Sequence, residues 1–243
     1  MSSTAHLLLG ERLLGFPDPN HVFVVMIQLG SILAIAWLYR ARIRSVLAGL
    51  PSDPDARRFA AAIIVAAIPA LAAGALLSGF VKSVLYESPA VFAASFIAGG
   101  AVMLIVERFR PEPAVLNAEH TSIGRALGIG LCQMLALIPG MSRSGATIVG
   151  GMLVGLDRAA AAEFSFFLAI PMMIAAFSHD LFEIRHSVTA GLATEIAIGF
   201  VAAFIASLLV VRPFLGFVRR AGFAPFAWYR IALGLAMVAA GWR

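Results

Sequence analysis

The sequence predicts an all-α, polytopic membrane protein with a re-entrant helix–loop–helix in its second half, and three observations predict it. Hydrophobic residues make up 61% of the 243 and charged residues only 13%, whereas a soluble domain is about half apolar and about a quarter charged. The apolar residues gather in long runs, which makes the bilayer the expected solvent. The arginines fall between those runs, as the basic loops of a membrane protein do. The net charge of +5 is thereby accounted for, and a nucleic-acid partner is not expected, because the arginines lie between apolar runs rather than along one face and few polar helices could carry a basic patch.

Six stretches approach the roughly 20 residues that cross about 30 Å of hydrocarbon. They cover residues 21–39, 59–80, 90–107, 159–178, 191–211 and 223–241. Residues 123–156 are apolar too, but Pro139 and a cluster of glycine and serine break them in the middle. A broken segment at membrane depth persists only where its free backbone groups face protein or a wet cavity. This segment is therefore read as re-entrant, entering and leaving on one side. Loop charge agrees. Residues 40–58 carry Arg40, Arg42, Arg44, Arg57 and Arg58, residues 108–122 carry Arg108 and Arg110, and residues 212–222 carry Arg212, Arg219 and Arg220. The intervening loops carry one basic residue each, Lys82 and Arg185. The arginine-rich loops are expected in the cytoplasm and the C-terminus outside. No composition shift marks a domain linker, so residues 1–243 form a single transmembrane domain.

The polar chemistry is concentrated in Pro139-Gly140-Met141-Ser142-Arg143-Ser144-Gly145-Ala146-Thr147. A charged residue at depth is costly and is usually functional or paired. The planar fork of Arg143 suits bidentate capture of phosphate. Gly140 and Gly145 let the backbone turn and expose its N–H groups. A helix expected to start near Ala146 points its positive end at the same spot. Ser142, Ser144 and Thr147 add hydroxyls, and Ser144 doubles as the expected N-cap.

A weak internal repeat links this loop to the N-terminus. Residues 2–10 can be laid on residues 142–150, after which Gly15 falls on Gly155. Repeats of this kind in membrane proteins place a site where two halves meet. The repeat gives weight to Ser2, Ser3 and His6, since a histidine beside hydroxyls can act as acid or base or hold a phosphoryl group. Glu163 is expected in a structural pairing, Gln28 as a link between helices, and Cys132 as a small buried apolar side chain. No His, Cys, Asp and Glu set has metal-ligand spacing.

The run Leu135-Ala-Leu-Ile-Pro-Gly-Met-Ser-Arg-Ser-Gly-Ala-Thr-Ile148 resembles the undecaprenyl-diphosphate phosphatases of the bacitracin-resistance type. The resemblance continues through Ala162-Glu-Phe-Ser-Phe-Phe-Leu-Ala-Ile-Pro171, Ile27-Gln-Leu-Gly-Ser-Ile-Leu-Ala34 and Ser2-Ser-Thr-Ala-His-Leu7. It implies a fold of inverted repeats, each with a re-entrant helix pair, meeting at a central site. It implies removal of one phosphate from undecaprenyl diphosphate at the outer side of the bacterial plasma membrane. That reaction recycles the lipid carrier for peptidoglycan and confers bacitracin resistance. By motif match, Ser3 and His6 stand beside the reacting phosphate, with Arg143, Ser142 and Thr147 binding it. The resemblance also implies a divalent cation, Mg²⁺ or Ca²⁺, held by a glutamate pair that in the family precedes the Ser-Ser motif. That pair falls upstream of Met1, and the expectation is that a valine codon inside the motif has been read as the start. Two other readings stay open at this point: a lipid-diphosphate flippase or transporter, and a form that binds without cleaving. The sequence also leaves open whether the chain is a monomer or a homodimer.

Overall fold

A computed structural model describes residues 2–15, 18, 22–85, 88–184 and 190–241, and Arg185, one of the loop charges above, lies outside them. Ten α-helices run through the described residues. They are α1 (Ser3–Leu14), α2 (Val22–Leu38), α3 (Arg40–Gly49), α4 (Pro54–Phe80), α5 (Pro89–Phe109), α6 (Ile123–Gln133), α7 (Arg143–Leu153), α8 (Arg158–Ile184), α9 (Ala190–Ala221) and α10 (Ala224–Ala239). Stretches long and apolar enough to cross a membrane lie in α4, α5, α8 and α9. The chain is therefore a multi-pass membrane protein. The expected spans at α2 and α10 are shorter, at 17 and 16 residues, which is about 25 Å of rise at 1.5 Å per residue. The basic stretch after α2 holds a helix, α3, where a loop is expected, and α3 buries none of its residues.

The broken segment takes the expected form. Limbs α6 and α7 have 11 residues each, about 16 Å, so neither could cross the bilayer alone. A tight turn over residues 134–137 and a loop join them. They touch closely because a Cβ on Gly150 would stand 2.7 Å from that of Cys132. Cys132 is half-buried at this contact, so it packs as expected, though less deeply. On the other side, a Cβ on Gly130 would stand 2.5 Å from the Ala66 carbonyl, so α6 lies directly on the backbone of α4. Small residues at such positions let membrane helices approach closely. Ala62, Ala66, Ala126, Ala160, Ala161 and Ala162 are buried there, with Phe59, Phe164 and Phe167 filling the space between.

The repeat is structural. Ser2 is the N-cap of α1 and Ser142 that of α7, and left-handed glycines follow both helices, Gly15 at φ +63° and Gly155 at φ +91°. The last helices of the two halves, α5 and α10, pack on one another reciprocally. A Cβ on Gly100 would meet the Ala227 carbonyl at 2.8 Å, and a Cβ on Gly234 would meet the Ala93 carbonyl at 2.9 Å. Both partners are displaced by the same number of residues, as a two-fold relation requires. Residue numbers rise along one helix as they fall along the other, so these equivalent helices run antiparallel. Antiparallel equivalents are the signature of inverted repeats.

At one end of the bundle, Glu107 of α5 receives the guanidinium of Arg158 at the start of α8 and the N–H of Phe223 between α9 and α10 (3.3 Å). Glu163 accepts a long hydrogen bond from the Tyr39 hydroxyl (3.5 Å), a structural pairing that ties α8 to the end of α2.

Candidate active site

Between α1 and the α6–α7 loop lies a cavity of about 310 Å³. Its polar wall is Ser2, Ser3, Gln28, Gln133, Gly140, Ser142, Arg143 and Ser144. Its apolar wall includes Ala70 of α4, Leu137 and Ile138 of the turn, and Met172, Met173 and Ala176 of α8. Of the residues singled out in the sequence, Ser2, Ser3, Gly140, Ser142, Arg143 and Ser144 thus meet at one place, although most of the chain separates the first two from the rest.

Local chemistry sets the loop. Gly140 adopts φ +87° and Ser142 φ +70°, so the chain doubles back twice within three residues and enters α7 at Arg143. Ser142 Oγ accepts the N–H of Gly145 at 3.1 Å and lies 3.3 Å from Ser144 Oγ. This corrects three expectations. The helix begins at Arg143, three residues before Ala146. Its cap is Ser142, because the positive φ turns that side chain onto the first turn, and Ser144 sits inside the helix. Gly145 also lies inside the helix, where its N–H is already taken by Ser142.

Two further residues are placed differently from expectation. Thr147 faces away from the cavity, donating within α7 to the carbonyls of Arg143 (3.0 Å) and Ser144 (3.2 Å) and pairing with Ser165 Oγ of α8 at 2.6 Å. Five residues past the cap, it has gone well beyond one turn and points into the packing between α7 and α8. His6 is likewise one turn past the wall. Its Nδ1 lies 2.6 Å from the Ser2 carbonyl and its Nε2 2.8 Å from the Tyr229 hydroxyl. The ring stacks on Tyr229 and leans on Phe96. A carbonyl can only accept, so Nδ1 carries the proton and, in the neutral ring, Nε2 accepts from the tyrosine. His6 thus reaches the cavity through Ser2. Ser3 Oγ lies on the wall and donates to Gln28 Oε1 at 3.3 Å, and Gln28 Nε2 donates to the Val24 carbonyl at 3.0 Å. Gln28 does link α1 to α2, and it also lines the cavity.

Sequence reasoning missed Arg230. It lies in α10, 1% exposed, and donates to the carbonyls of Ser95 (2.9 Å), Gly140 (3.1 Å) and Met141 (3.0 Å). The ring of Phe96 lies 5.2 Å from the guanidinium carbon. A Cβ on Gly99 would stand 2.2 Å from one of its nitrogens, so only glycine leaves room for it. Arg230 holds the loop carbonyls away from the cavity, leaving the N-terminal end of α7 to face it. The signal was present: an arginine one and a half turns into an apolar helix is as costly as one in a loop.

The cavity combines one guanidinium, hydroxyls, carboxamides and the positive ends of α1 and α7. Such a set favours an anion rich in oxygen acceptors. For a divalent cation the described wall offers carboxamide and backbone carbonyl oxygens and lacks the carboxylates that usually anchor such an ion. None of the lining residues is acidic, and no cluster of three His, Cys, Asp or Glu occurs among the described residues.

Residues 1–236 match the family described as bacitracin resistance protein BacA. The chain belongs to that family. Among curated BacA-type relatives, it is 50% identical over 240 residues to a protein named undecaprenyl-diphosphatase from Cereibacter sphaeroides, covering 99% of this chain and 90% of that one. A protein of the same name from Paracoccus denitrificans is 46% identical over 245 residues, all of this chain and 92% of that one. Another, from Phenylobacterium zucineum, is 50% identical over 234 residues, 96% of this chain and 88% of that one.

Proposed function

We propose that this chain hydrolyses undecaprenyl diphosphate to undecaprenyl phosphate and phosphate. The observation that carries the reading is Arg143 at the mouth of α7, facing Ser2 and Ser3 at the mouth of α1 across one cavity. Membership of a family whose relatives carry that activity in their names supports it. Water adds its oxygen to the outer phosphorus, and the bond from that phosphorus to the bridging oxygen breaks. The bridging oxygen leaves with the inner phosphate, on the lipid. Negative charge builds on that oxygen and on the transferred group, where Arg143 and the two helix ends stabilise it. Ser3, whose hydroxyl donates to Gln28, keeps its oxygen free to accept from the attacking water. His6 fixes the first turn of α1 through Ser2, and Thr147 fixes α7 against α8.

A cavity of about 310 Å³ is at the small end for ligand sites. It accommodates a diphosphate and excludes the long polyprenyl tail. The tail is placed along the apolar wall of Ala70, Leu137, Met172 and Met173, from which it passes into the bilayer. The charge of the loops supports an orientation with the arginine-rich loops inside the cell, and a bacterial plasma-membrane location with the cavity opening outward is what membership of the family implies.

The deciding measurement is phosphate release from undecaprenyl diphosphate by the purified chain in detergent, with Arg143→Ala alongside. Release by the wild type and a loss of at least about 100-fold in the variant is expected, since charged contacts to a transition state are worth several kcal/mol. Movement of the lipid across vesicles without phosphate release would replace the hydrolase with a flippase.

A further inference from the structure

The cavity wall contains one polar side chain that the site described above leaves unused. Gln133 ends α6, is 1% exposed, and lines the same cavity as Arg143 and Ser144. Neither its Nε2 nor its Oε1 has a hydrogen-bond partner among the described residues. An unmet donor or acceptor in a buried site is destabilising, and an apolar residue of the same shape would avoid that cost. Leucine or methionine would suit the apolar neighbours Ala136 and Leu137.

We propose that Gln133 is a direct ligand of the bound diphosphate, donating from Nε2 to a phosphate oxygen and accepting at Oε1 from the attacking water or a protonated phosphate oxygen. The inference rests on the hydrolase reading above and deepens it. A carboxamide carries a donor and an acceptor on two neighbouring atoms. A hydrated phosphoryl group presents the same two functions in reverse. Gln133 comes from the first limb of the re-entrant pair and Arg143 from the second, while Ser2 and Ser3 come from the other half of the molecule. A phosphate held by all of these touches three chain segments. The second carboxamide on the wall, Gln28, cannot take this role in the same way, since both its ends are engaged, by Ser3 and Val24.

The test separates binding from chemistry. A prenyl methylenediphosphonate, whose P–C–P bridge resists hydrolysis, is titrated calorimetrically into the purified wild type, Gln133→Leu and Gln133→Glu in detergent. Thermal unfolding of each is followed without ligand. A hydrogen bond to a charged group sets the expected scale, so Gln133→Leu should bind the diphosphonate about 10- to 100-fold more weakly. Its unfolding temperature without ligand should be unchanged or higher. Gln133→Glu keeps the size but places a carboxylate against phosphate, and should bind more weakly still. It decides the matter if the leucine variant does not fold. Binding of either folded variant within twofold of wild type would overturn the proposal, as would a leucine variant that loses stability without losing affinity. The hydrolase reading fails separately: wild type that binds the diphosphonate yet releases no phosphate from undecaprenyl diphosphate would remove that reading and leave the Gln133 contact measurable.

Discussion

Replacing Arg230 with methionine keeps most of the side chain's length and removes its three hydrogen bonds. The carbonyls of Ser95, Gly140 and Met141 then lose the donor that holds them. Orphaning a buried carbonyl costs about 1–3 kcal/mol, and three are affected. Against that, the substitution returns several kcal/mol that a buried guanidinium costs in lost hydration. The balance is a loss of about 2–4 kcal/mol. The effect on rate is larger than stability alone predicts. Gly140 and Met141 lead directly into the residue that turns the chain into α7, so the guanidinium of Arg143 and the hydroxyl of Ser144 shift with them. A displacement of about 1 Å at a reacting group can cost about 100-fold. Phosphate release and thermal unfolding are measured on Arg230→Met and Arg230→Lys in detergent, at a temperature where both remain folded. The turnover number should fall at least about 10-fold in Arg230→Met. Lysine should recover part of it, since its ammonium supplies donors but not the planar fork. A stability loss with an unchanged turnover number would refute the idea that these bonds position the loop.

Three further substitutions probe the same geometry. Thr147→Val removes the partner of Ser165 and should lower stability by about 1–3 kcal/mol with KM unchanged; a raised KM at unchanged unfolding temperature would return Thr147 to the phosphate. Ser142→Ala should cost about 1 kcal/mol of stability through the lost cap, whereas Ser142→Gly should cost only a few tenths because glycine accepts the positive φ; equal losses in a melting comparison would contradict this. Gly130→Ala places a methyl against the Ala66 carbonyl and should destabilise by about 1–3 kcal/mol, read as an earlier unfolding transition; unaltered melting would mean that α6 and α4 are not held so closely.

What the sequence makes legible here is what is decided locally. Pro139 and the glycines break an apolar run, and helix limbs too short to cross follow directly. The caps are local too: a serine before each of α1 and α7 and a glycine after each come into register from a simple alignment of the chain with itself. The start of α7 was misplaced because cap selection depends on one torsion angle. Ser142 and Ser144 are equally good caps by type, and only the positive φ at Ser142 chooses between them. Arg230 and Gln133 were illegible for a different reason. Each gains its meaning from partners far away in the chain: the Gly140 and Met141 carbonyls for the one, a cavity closed by the other half of the molecule for the other. In sequence, Arg230 follows Trp228-Tyr229 and looks like an interfacial anchor, and Gln133 looks like the polar end of a helix.

The two halves share geometry but not chemistry, and that division explains the shape of the site. In the alignment that pairs the caps, Ser3 occupies the place of Arg143, Ala5 that of Gly145, and His6 that of Ala146. Both helix ends offer a positive dipole to the cavity. On one of them a full charge is added, on the other a hydroxyl. Two arginines at these positions would face each other across about 310 Å³ and repel, and two serines would leave a dianionic group without a counter-charge. On the proposed hydrolase reading, one of each gives a firm hold on phosphate from α7 and, from α1, an uncharged oxygen able to take part in the attack. The histidine that has no counterpart in α7 steadies that hydroxyl-bearing turn from behind, through the Ser2 carbonyl and Tyr229. An inverted repeat thus supplies two equivalent helix ends at a shared centre, and under the proposed function, substitution within one turn of each separates binding from reaction.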